Sequence, residues 1–201
     1  MSSQHYAVSE IFIVIAAVWC VWQYSRTHHW LAAIGTAIFG IAAAIGAYRY
    51  GTGQLENLGN AHRWVSQTGG SIAMTLIAFQ ILREMPVTAK ILPNRVLMGV
   101  LPIPILAILF FTAVAVPLFM AWLLVGIVGA FMLPATSHTV KMKRTAMVGI
   151  MLVNVAVIRQ SPMLDPAVSW HVFHTLVAIW LLCVLGVIKT GSAIYLDPES
   201  Q

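Results

Sequence analysis

His171 and His174 stand three residues apart in Ser169-Trp-His-Val-Phe-His-Thr-Leu-Val-Ala178, a spacing that puts both imidazoles on one face of a helix. The stretch is apolar, and imidazoles are costly in hydrocarbon, so the pair marks a place where chemistry is expected. His62 and Ser66, four apart, share a face of an earlier helix. Three neutral imidazoles with a fourth position left for water make an open zinc site, in which the ion brings its water toward pH 7 and polarises a carbonyl. The expected metal ligands are therefore His62, His171 and His174, with Ser66 as the catalytic side chain that stabilises or orients. The same residues admit a b-type haem held by His62 and either His171 or His174. They also admit a non-catalytic, lipid-binding scaffold in which the histidines are structural.

These side chains must be positioned by a membrane bundle. Sixty per cent of the 201 residues are apolar and 8 per cent charged, more hydrocarbon than one soluble core could hide. Apolar runs able to cross about 30 Å at about 1.5 Å per residue recur along the chain. The expected fold is all-α, a single domain over 1–201 with seven transmembrane helices near 10–25, 30–48, 62–82, 96–114, 117–134, 145–159 and 166–188. Pro117 is taken as the turn between the fourth and fifth, since one helix through both would overrun the bilayer.

Sorting the cations by side gives the orientation. One face receives Arg49, Arg63 and Arg159, and the other Arg26, Arg83, Lys90, Arg95, Lys141, Lys143, Arg144 and Lys189. The excess belongs in the cytoplasm, which puts the amino terminus outside and the carboxyl terminus inside. The net charge of +5 is then a matter of topology and membrane lipids, not of nucleic acid. The first apolar run reads as a retained helix rather than a signal peptide. Cys20 and Cys183 read as packing residues. A partner subunit in the membrane would suit the scaffold reading.

With that topology the polar residues collect near the outer face: Glu10 opening the first helix, Tyr48 and Arg49 closing the second, His62, Ser66 and Gln67 opening the third, Asn154, Arg159 and Gln160 ending the sixth, and Asp165, Ser169, His171 and His174 opening the seventh. Such a gathering implies a cavity open to the outer leaflet. His174 lies about 12 Å along its helix while His62 lies at the start of its own, so convergence requires the third helix to begin earlier, near Leu55, or the seventh to start higher. Gly35, Gly40 and Gly46, with Gly69 and Gly70, make surfaces for close helix approach. Pro102 and Pro104 should kink the fourth helix, and Asp165-Pro166 should start the seventh.

The run from Ser169 to Ala178 resembles the last helix of the CREST superfamily, the seven-helix membrane proteins that include alkaline ceramidases and progestin/adipoQ receptors. In that family the last helix carries two zinc-ligating histidines four apart, an early helix supplies a third, and Ser and Asp assist a zinc-bound water in hydrolysing a lipid amide. His174 stands in the second slot of the pair, Trp170 in the first, and His171 one place beyond it. His62 would stand for the early histidine. The resemblance covers about ten residues and implies a metal-dependent hydrolase acting on a lipid amide or ester.

Overall fold

The computed structural model describes residues 3–91 and 94–196, and among these residues every regular element is helical. The long helices are α1 (Tyr6–Arg26), α2 (Trp30–Gly51), α3 (Gly59–Trp64) running through a π-helical turn, Val65–Gly69, into α4 (Gly70–Glu84), α8 (Ala115–Met132), α9 (His138–Val153) with a second π turn, Asn154–Ile158, and α10 (Pro166–Leu196). Three shorter helices, α5 (Pro86–Ile91), α6 (Asn94–Val100) and α7 (Pro102–Phe110), lie between α4 and α8.

Five stretches are long and apolar enough to cross a membrane: Tyr6–Arg26, Trp30–Gly51, Gly59–Glu84, Thr112–Met132 and Pro166–Gly191. The expected fourth and sixth spans fall outside this set, for different reasons. Asn94–Phe110 is shorter and broken at Leu101, where Pro102 starts a new helix because its ring cannot continue the old one. The sixth begins at His138, seven residues before its expected start, so Lys141, Lys143 and Arg144 lie within the helix and not in a loop. Ser137 caps it by accepting a hydrogen bond from the Val140 N–H.

The turn expected at Pro117 is at Phe111 (φ −127°, ψ 81°). Pro117 instead occupies the first turn of α8, where its missing N–H is among the donors without an intrahelical partner. Its ring still forbids the helix from reaching back past Ala113, which is why the chain breaks just upstream.

The helices close into a ring in the order α1, α2, α4, α8, α9, α10 and back to α1, with α6 and α7 outside it against α4. The ring is filled by Cys20, Met74, Ile77, Ile81, Leu123 and Trp180, while large apolar side chains such as Val18, Trp19, Ile41 and Val128 face outward. An outer surface of that kind is at home in lipid and not in water. Polar cross-links hold the ring where lipid supplies no hydrophobic drive: Ser71 Oγ donates to Ala115 O (2.7 Å), Trp180 Nε1 to Val148 O (3.0 Å) and Asn154 Nδ2 to Phe173 O (2.9 Å). Gly35 allows α2 against α4, since a Cβ there would stand 2.7 Å from Ala73 O.

Candidate functional site

Glu10 is the centre of the site. The helix expected to open at this residue begins at Tyr6, so the carboxylate sits in the second turn of α1, inside the bundle and only 2 % exposed. Its Oε1 is 3.4 Å from Nε2 of His174 on α10 and 3.7 Å from Nε2 of His62 on α3. That oxygen is buried without a hydrogen-bond partner. Burying a carboxylate this way is costly unless positive charge lies beside it. Room for the group comes from α2, where a Cβ on Gly46 would stand 2.5 Å from Glu10 Oε1 and 2.9 Å from His62 Nε2.

Hydrogen bonds behind the rings fix their orientation. His174 Nδ1 lies 2.7 Å from Trp170 O, and a carbonyl can only accept, so Nδ1 carries the proton and Nε2 turns a lone pair toward Glu10 in the neutral ring. His62 Nδ1 lies 3.5 Å from the Arg49 guanidinium, which can only donate. That places the His62 proton on Nε2, facing the carboxylate. Trp170 stacks on His174 with centroids 4.3 Å apart, Tyr50 meets His62 edge-on at 6.1 Å, and the two aromatics touch at 5.3 Å. They cover the centre at the amino-terminal end of the bundle. Arg49 lies over the Tyr50 ring and Arg159 over Trp170.

Of the residues expected from sequence, His62 and His174 are thus brought together, both buried, by α3 beginning at Gly59 rather than near Leu55. His171 is elsewhere. Its Nδ1 is 3.1 Å from Ser9 Oγ and its Nε2 2.9 Å from His5 Nδ1, which engages both nitrogens in a separate chain. Ser66 is exposed, and its hydroxyl donates back to His62 O on its own helix. Among the described residues no three His, Cys, Asp or Glu side chains stand as a group that could hold a metal ion as they are placed. Glu10 is the residue that the sequence reading placed at the outer face but left out of the site. The signal was its position, an acid inside an apolar run with helical register on both sides.

No known protein family matches this chain, and no curated protein and no solved structure matches it.

Proposed function

We propose that this is a multi-pass membrane protein whose Glu10, His62 and His174 bind a zinc-like divalent ion, and that the centre hydrolyses an amide or ester bond of a membrane lipid near the outer leaflet. The carrying observation is the 3.4 Å approach of a bare imidazole nitrogen to an unpartnered carboxylate oxygen. Two electron-rich atoms at that separation call for a proton or a metal ion between them. Ligand atoms about 2.1 Å from a tetrahedral ion lie about 3.4 Å from one another. Two histidines and a glutamate leave one position open, which is the donor set of a hydrolytic zinc site. The Trp170 carbonyl behind His174 is the outer partner that a ligating imidazole needs.

A bound ion would supply an activated water and polarise the scissile carbonyl. The protein's own part is then clear. Glu10 offsets the ion's charge, His174 and His62 fix its place, and Tyr50 with Trp170 keeps bulk water from the centre. Arg49 and Arg159 put positive charge over those two rings.

One observation favours a second reading without metal. Arg49 beside His62 Nδ1 disfavours a proton on that nitrogen, which ligation through Nε2 would require. In that reading the charge between Glu10 and His174 is a proton, and the three side chains form an acid–base relay.

Metal analysis of the purified chain separates the two. The metal reading expects about one zinc per chain in the wild type, His171→Ala and Ser66→Ala, and its loss in Glu10→Gln and His174→Ala. A metal-free wild type that still refuses added zinc would sink it. Release of fatty acid from lipid amides and esters by the loaded protein, absent in Glu10→Gln, tests the hydrolase.

A further inference from the structure

Arg144 is a cation buried without a counter-charge. It is only 4 % exposed, and among the described residues no carboxylate pairs with it. Its Nη1 donates to Pro134 O in the connection between α8 and α9. The other two guanidinium nitrogens find no acceptor among the described residues, and neither is sealed from the exterior. A guanidinium left in this state is costly until an anion meets it.

The surroundings deepen the deficit. Arg144 stands in the second turn of α9, whose first turn holds no acid to offset the partial positive charge of a helix start. Lys141 lies three residues before it on the same face, where like charges repel. Both side chains turn back toward the end of α8: Arg144 reaches Pro134, and the Lys141 ammonium stands 5.7 Å from the centre of the Phe131 ring. His138 meets that ring at 6.1 Å. Ser137 takes the Val140 N–H, one of those a helix start leaves over, and the remainder add to the donors gathered here. The turn lies at head-group level, because α8 is long and apolar enough to span and ends at Met132. Leu124, Val128 and Met132 form an exposed apolar stripe that runs up to it. Leu133 packs on Gly191 of α10, which puts the turn at the end of the bundle opposite Glu10.

We propose that the α8–α9 turn binds the phosphate of an anionic phospholipid, held by Arg144 and Lys141, with the acyl chains along the α8 stripe. The guanidinium offers a planar fork that matches two phosphate oxygens, and the ammonium adds a point charge beside it. Hydrocarbon surface directly below the cations favours a lipid over free phosphate as the source of the anion. Lys141, Lys143 and Arg144 within two turns, with no acid among them, favour a lipid of net negative charge over a zwitterionic one. The site stands independently of the Glu10 centre.

The test is native mass spectrometry of the full-length protein in dodecyl maltoside with added dioleoyl phosphatidylglycerol or dioleoyl phosphatidylcholine. The phosphatidylglycerol is expected to be retained about tenfold more tightly. Arg144→Gln and Lys141→Gln should each weaken its retention about tenfold, and Lys143→Gln, whose side chain turns away from the other two, by less than about twofold. Arg144→Lys should fall between Arg144→Gln and the wild type. Hydrogen exchange at residues 138–141 should slow when phosphatidylglycerol is added to the wild type and not when it is added to Lys141→Gln, which carries the test alone if Arg144→Gln does not fold. Equal retention of the two lipids, or unaltered retention in both glutamine variants, overturns the proposal. Slowed exchange with inorganic phosphate and no retained lipid would overturn the lipid as the source of the anion. Glu10→Gln should hold phosphatidylglycerol as the wild type does, so the result does not depend on the metal centre.

Discussion

Glu10 and His174 face each other across 3.4 Å from the first and last long helices of the chain, and Gly46 on α2 makes the space in which they meet. A methyl group at Gly46 would stand 2.5 Å from the carboxylate oxygen and must displace it. Gly46→Ala is therefore expected to leave helix content unchanged by circular dichroism while lowering zinc affinity about tenfold or more. Unchanged affinity would show that the close approach is not needed for ligation.

Arg49 decides which nitrogen of His62 carries the proton. In Arg49→Gln the amide oxygen can accept from Nδ1–H, which frees Nε2 to ligate, and zinc should bind about tenfold more tightly. Arg49→Lys keeps a cation there and should not. Titration of both variants with zinc decides it. Equal weakening in the two would favour the acid–base relay over the metal.

At the opposite end of the bundle His29 lies 3.5 Å from Glu84, in the short connection before α2. Burial holds its imidazole below the ordinary 6.5, with Arg83, Lys189 and His28 pushing the same way and Glu84 pulling against them. The unfolded chain then takes up this proton before the folded one does. The contribution is full above about pH 6.5 and is lost as pH falls toward the lowered value. The thermal midpoint in detergent should therefore drop from pH 7.5 to about 5.5, and His29→Gln should flatten that slope. An unaltered slope in the variant would remove His29 from the account.

Trp180, fully buried, ties α10 to α9 through Val148 O. Trp180→Phe removes the indole's hydrogen bond to a carbonyl that α9 already pairs and shrinks a fully buried side chain, for an expected loss of about 1–3 kcal/mol. Unfolding in mixed micelles measures it. A change within about 0.5 kcal/mol would mean that the neighbouring side chains close over the smaller ring.

Much of the architecture was legible because hydropathy and capping act locally. The helix at Pro166 begins where Asp165 Oδ1 accepts from the N–H groups of Ala167 and Val168, as the Asp-Pro pair implies. The helix at His138 was not legible, because Lys141, Lys143 and Arg144 look like a loop until α9 is seen to begin among them. In the site, residue type singled out His62 and His174, while the depths read from the sequence spoke against their meeting. The partner they share was not legible, since beginning α1 at Glu10 put the acid at the lipid headgroups when it belongs one turn deeper. His171 and Ser66 were misplaced for a different reason: spacing assigns a helix face but does not say which neighbour that face meets.

The π turn at Val65–Gly69 sits between His62 and the rest of its helix. One additional residue in a helix swings everything on one side of it by about 100° relative to the other, since a turn takes 3.6 residues. His62 is aimed by that swing. A chain shortened by a single residue at Gln67 would relax to uninterrupted α-helix, and the imidazole would leave the carboxylate and turn toward a different neighbour. The aim of that imidazole is thus written into the length of the chain as much as into its chemistry.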